Sequence, residues 1–131
     1  MEGQRKAGND SGMTDCSYSE YAVRYIKEHF SEKIRIQDLA EHIGISRSYL
    51  GKLLKKKTGM SPQEYLIEIR MNRAAELLSG SDDPVKSIAA ACGYDDPLAF
   101  SKVFKSKFGI NPSEYRIQHK RTYPNRKEEF V

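Results

Sequence analysis

Residues 59–65 read GMSPQEY, and residues 109–115 read GINPSEY. Each phrase is a junction between two helices. A glycine just past a helix end takes the left-handed conformation that closes it. Ser61 then suits the N-cap, Pro62 the first helical position, and Glu64 completes an S-x-x-E capping box. Met60, ahead of the cap, is placed to staple onto Tyr65. In the second phrase Gly109 stops a helix, Asn111 caps the next, Pro112 opens it, Glu114 takes the third position, and Ile110 faces Tyr115.

The recurrence extends well beyond the junction. Ile36, Leu39, Ala40, Ile43 and Gly44 match Val85, Ile88, Ala89, Cys92 and Gly93, each 49 positions on. After that glycine the offset becomes 50: Leu50, Leu53 and Leu54 match Phe100, Val103 and Phe104, while Lys52, Lys55 and Lys57 match Lys102, Lys105 and Lys107. Each copy is a short helix, a tight turn with glycine and a second helix, which is the description of a helix-turn-helix.

Between and around the copies the 3.6-residue period continues. Ala22, Val23, Ile26 and Phe30 predict a first helix capped by Ser17 and Glu20 and ending near residue 30. Further helices are expected at 36–43, from the Ser46 cap to about Thr58, from Pro62 to near Gly80, from Pro84, from Pro97 to about Phe108, and from Pro112. Nothing alternates as a strand does. The expected fold is therefore all-α, about seven helices, as two tandem helix-turn-helix subdomains joined by a long connecting helix. The boundaries read as a polar, glycine-rich tail at 1–16, a first lobe at 17–60, a connector at 61–80, a second lobe at 81–120 and a polar tail at 121–131.

Composition bounds the function. The chain has 131 residues, 31% of them charged, and a net charge of +4. Residues 1–35 carry six basic and six acidic side chains, so the whole excess lies from Ile36 onward. Cys16 and Cys92 are the only cysteines, too few for a disulfide framework and not spaced for zinc or redox work. A reducing cytoplasm is the simplest expectation. No apolar run approaches the roughly 18 residues of a membrane span, and no secretory signal is legible.

Helical geometry gives each second helix two faces. Leu50, Leu53 and Leu54 cluster on one side of the third helix, with Ser48, Lys52 and Lys55 nearly opposite. On the sixth, Phe100, Val103 and Phe104 turn inward, with Leu98, Lys102 and Lys105 opposite. Such a lysine face attracts the phosphates of a duplex, whose major groove, about 12 Å wide, admits a helix. The plain alternative is a solvated face whose cations favour the helix C-terminus.

From about Tyr18 to Gln118, roughly three quarters of its length, the chain resembles the DNA-binding domain of the AraC/XylS transcription regulators. The likeness runs through DLAEHIGISRSYLGKLLKKKTGMSPQEYL, the connector IRMNRAAELL and IAAACGYDDPLAFSKVFKSKFGINPSEYR. It implies seven helices, two helix-turn-helix lobes on a rigid connector, and sequence-specific binding of double-stranded bacterial promoter DNA, with RNA polymerase as a further partner. Many relatives carry a sensing or dimerising domain ahead of this one, which the 16-residue tail is too short to be; that domain is expected to be missing from this chain. The connector, 17 residues from Pro62 to Leu78, spans roughly 26 Å. It carries apolar positions on more than one side, as suits a bridge holding two reading helices about one DNA turn, roughly 34 Å, apart.

Carried over by position, family contacts fall on Arg47, Ser48, Gly51 and Lys52 in the first lobe and on Leu98, Ala99 and Lys102 in the second. Lys52 and Lys102 are assigned to base edges, since lysine pairs with guanine O6 and N7. Lys55, Lys56 and Lys105 are assigned to phosphate, which positions without specifying. Gly51 has no side chain where relatives often place a long polar one. Leu98 and Ala99 offer only apolar contact to a thymine methyl. Asp95 and Asp96 place acids near phosphate, so the first lobe is expected to dominate specificity. Arg70 on the connector is open between phosphate contact and a salt bridge. Tyr49, Tyr65, Tyr94 and Tyr115 read as packing residues, and Cys92 as inert core.

Two rivals stand beside this reading. His29, His42, His119, Cys16 and Cys92 could supply a Cys–His pair, but no metalloprotease, phosphate-loop or serine-elbow motif accompanies them; no catalysis, cofactor or metal is expected. A helical protein-interaction module with a basic face fits the repeat as well. RNA is disfavoured because its deep, narrow groove excludes such helices.

Overall fold

The computed structural model describes residues 14–120. Within that span lie seven helices and no strand: α1 (Asp15–His29), α2 (Ile36–Ile43), α3 (Arg47–Thr58), α4 (Pro62–Gly80), α5 (Val85–Ala91), α6 (Pro97–Phe108) and α7 (Pro112–His119). The expected all-α architecture with two helix-turn-helix motifs is what the chain adopts. Most of the expected tails, residues 1–13 and 121–131, lies outside the described residues.

Two starts differ from expectation. Helix α1 is capped by Thr14, whose side chain accepts the Ser17 N–H at 3.1 Å. Ser17 is therefore inside the helix, and the tail gives up Asp15 and Cys16. Asp15 in the first turn complements the positive end of the helix dipole, which extends the helix upstream of the expected box. Pro84 precedes α5 rather than opening it: with ψ of 149° it remains extended, and its carbonyl accepts the Ile88 N–H at 3.0 Å.

The junction grammar is realised at the atomic level. The Glu64 N–H donates to Ser61 Oγ at 3.1 Å, and the Ser61 N–H donates to Glu64 Oε1 at 2.8 Å. That reciprocal pair holds the Glu64 carboxyl below its ordinary range. Asn111 Oδ1 accepts the Glu114 N–H at 2.8 Å. Gly59 and Gly109, at φ of 81° and 85°, each donate back to a lysine carbonyl, Lys55 and Lys105. The left-handed backbone that ends α3 and α6 is one that only glycine adopts without strain.

Two compact units divide the chain between Ile69 and Arg70, within the residues of α4. The first unit is built on Ala22 and Ile26 of α1, Ile36, Leu39 and Ala40 of α2, Leu50 and Leu54 of α3, and Leu66 from the start of α4. Tyr65 and Ile69 pack against this core. Tyr49 ties α3 to α1 by donating to Asp15, with its ring edge-on to Tyr18 at 6.4 Å; that bond pushes the Tyr49 hydroxyl pKa up.

The second unit buries Met71, Ala74 and Leu78 of α4 with Ile88, Ala89, Cys92, Phe100 and Phe104. Where the first copy uses leucines, this one uses aromatic rings: Phe104 lies 5.9 Å from Phe100, 4.5 Å from Phe108 and 5.3 Å, edge-on, from Tyr115. Arg70 is buried, its guanidinium 5.3 Å from the Tyr94 ring centre. Of the roles open to it, an internal one matches this position.

Candidate nucleic-acid interface

The α2–α3 turn aims the third helix. Gly44, at φ of 94°, donates to the Ala40 and Glu41 carbonyls, and the Ile45 N–H reaches Ala40 at 3.0 Å. Ser46 then accepts the Tyr49 N–H and starts α3. Because Leu50, Leu53 and Leu54 are buried, the 100° step between residues leaves Arg47, Ser48, Lys52, Lys55 and Lys56 exposed. Gly51 lies half-buried among them.

These side chains border a shared concavity. An open groove of about 600 Å³ is lined by Ser48, Gly51, Lys52, Lys55, Lys56 and Ser61. A second, of about 470 Å³, is lined by Ile36, Arg47, Ser48, Gly51, Ser61, Pro62 and Gln63. All six expected first-lobe positions therefore line one or both grooves. Ser61, the cap of α4, and Pro62 and Gln63 of its first turn were not among them. Their capping pattern marked them as a helix start, but only folding brings that start beside α3.

The lysines fall into two kinds. Lys57 lies 4.0 Å from Glu20 across the α1–α3 contact, and Lys107 sits over the Phe108 ring at 5.5 Å. Among the described residues no carboxylate lies within ion-pair distance of Lys52, Lys55, Lys56, Lys102 or Lys105. All five are exposed on two matching helices, and among the described residues the Glu64 carboxylate feels Lys55 from beyond ion-pair distance.

On α6 the equivalent face is poorer. Asp96 caps the helix through the Leu98 N–H at 3.0 Å. Leu98 is 74% exposed, Ala99 is half-buried, and Lys102 and Lys105 are exposed. The half-buried setting of Ala99 leaves Leu98 as the main apolar contact surface on this helix.

No helix among the described residues is long and apolar enough to cross a membrane. No group of three or more His, Cys, Asp or Glu in that span is placed to hold a metal ion.

Two tandem helix-turn-helix motifs, each with a lysine-bearing second helix, define a class of protein, and comparison with known proteins places the chain within it. The helix-turn-helix domain family matches residues 39–118. The chain belongs to the AraC/XylS family of helix-turn-helix regulators. It is 43% identical over 97 residues to the lactose operon transcription activator of Staphylococcus xylosus, covering 74% of this chain and 35% of that protein. The chain thus spans about a third of the length of the curated relatives it matches. The C-terminal domain of AraT, a response regulator from Geobacillus stearothermophilus, superposes with a TM-score of 0.80 at 32% identity, covering 87% of this chain and 93% of that one. The DNA-binding domain of the global transcriptional factor AdpA, solved in complex with a target DNA, gives 0.72 at 30% identity, covering 82% and 94%.

Proposed function

We propose that this chain binds double-stranded promoter DNA in a sequence-specific manner and regulates transcription, with α3 and α6 each entering one of two neighbouring major-groove segments. The observation that carries the reading is the twice-written helix face on which Lys52, Lys55, Lys56, Lys102 and Lys105 are exposed and outside any ion pair of the described residues. Lys52 and Lys102 reach base edges, and Ser48 donates to a base or phosphate. Lys55, Lys56 and Lys105 hold phosphate, and Arg47 flanks them at the start of α3. Leu98 and Ala99 offer carbon to a thymine methyl. The chain acts as a binding module without catalysis, in the cytoplasm. Contact with RNA polymerase, and control by a sensing or dimerisation domain carried outside this chain, belong to the same reading. The greater length of the relatives supports the latter.

A titration of labelled duplex across a salt series tests the proposal. Counterion release predicts a fall of about 0.9 log units in the binding constant per log unit of salt for each phosphate neutralised. At fixed salt, selection from a random library should return a preferred sequence. A shallow salt response without preference among duplexes would instead favour the protein-interaction module with a basic face.

A further inference from the structure

Gly51 is out of place by every rule internal to the chain. It sits in the interior of α3, where glycine is the poorest helix former after proline. It is not among the glycines of positive φ, so no turn requires it. A Cβ built on it would meet no atom within 4 Å, so no neighbouring backbone requires it either. Gly44 and Gly59 have equally open surroundings, but their φ of 94° and 81° explains them. When a local rule is broken with no compensation inside the fold, the reason is to be sought in a ligand, and glycine is the residue that lets a ligand come close to backbone.

The surroundings indicate which ligand group. Gly51 is common to both grooves beside α3. The larger one is open and its lining is mostly carbon, with Lys52, Lys55, Lys56, Ser48 and Ser61 bordering it. Among the base edges of a major groove, thymine alone presents a protruding apolar group, its C5-methyl; cytosine, adenine and guanine present donors and acceptors. The phosphates on either side of that base would meet the lysine rim. Resting on the DNA-binding reading above, we propose that the space over Gly51 is a notch that receives a thymine methyl, making Gly51 a specificity determinant for one T·A pair of the target.

The test uses the full chain and the duplex that it selects from a random library. Each thymine of that duplex is replaced in turn by deoxyuridine, which removes only the methyl. One replacement should weaken binding about fourfold, the worth of one buried methyl. The loss should vanish in Gly51→Leu, whose side chain fills the notch, and shrink in Gly51→Ala. Both variants should melt no lower than the parent, since a side chain at Gly51 meets no neighbour and replaces a poor helix former, so a changed response to deoxyuridine is not a loss of fold. If no thymine is sensitive, or if the same loss persists in Gly51→Leu, the notch is refuted. A parent chain with no preference among duplexes would overturn the DNA-binding reading itself, and the notch with it.

Discussion

Lys52 and Lys102 occupy the same place in their two copies, yet their neighbours differ. Lys52 shares its face with Arg47 and Ser48 and borders a groove, whereas Lys102 shares its face with exposed Leu98 behind a helix start that carries Asp95 and Asp96. Lys52→Ala is therefore expected to relax sequence preference more than Lys102→Ala, by about 1–3 kcal/mol of discrimination at the base it reads. Parallel binding-site selections measure this, and a larger effect at Lys102 would reverse the ranking. The two cysteines differ as sharply. Cys16 is exposed and Cys92 buried, and burial pushes the Cys92 thiol up from 9.0 to about 11. One thiol should react with a neutral aromatic disulfide in the native chain and two after unfolding. The sign of the pH effect follows from proton counts. Above pH 9.0 the unfolded thiol has lost its proton and the folded one has not, so this group's contribution to stability falls between pH 9.0 and about 11 and is level below. A denaturant series at pH 8 and 10, on the parent and on Cys92→Ala, isolates it.

At the scale of the element, α4 is held at both ends by groups outside its own ladder. At its start the Ser61–Glu64 box satisfies two orphan N–H groups. Ser61→Ala should cost about 1 kcal/mol of stability, read by urea unfolding. Because folding lowers the Glu64 pKa, its contribution is present above the unfolded value and is lost as pH falls through the folded one. The other end has no basic residue in its last turn. Its Leu78 carbonyl is served from α7, where Arg116 Nε donates at 3.0 Å; just past both helices the Lys120 ammonium donates to the Ser81 carbonyl at 3.1 Å and to Asp82. Removing a charged donor from a carbonyl in the partly buried Leu78 contact costs about 1.5–3 kcal/mol. Arg116→Met, which keeps most of the aliphatic packing, should destabilise the second unit by that amount in chemical denaturation. No change would mean that water replaces the guanidinium.

The chain divides into two compact units, and the division falls within the residues of α4. Each has its own core, leucine-rich in the first and aromatic in the second. If each second helix enters its own major-groove segment, a hydroxyl-radical footprint should show two protected tracts about one helical turn, roughly 34 Å, apart. Protection of one tract alone would mean that a single unit reads DNA.

The features legible in the amino-acid order alone are local: where helices begin and end, which side of each is apolar, and that the pattern is written twice. These follow from periodicity, capping side chains and glycine at left-handed positions, all of which act within a few residues. Where a neighbour's side chain competed, as Thr14 does with Ser17 for the start of α1, the local reading slipped by a turn or less. Tertiary structure decided what depends on approach across the chain. It set the α4 start beside α3, making a groove of what had read only as a cap. It engaged Lys57 with Glu20 and Lys107 with a ring while leaving Lys52 and Lys102 free of ion pairs. It buried Arg70 against Tyr94 and sent Arg116 back 38 residues to cap α4. The physical reason is that a side chain's charge and hydrogen-bonding capacity are known from its type, but whether they are spent inside the fold or remain for a partner is settled only when distant segments meet.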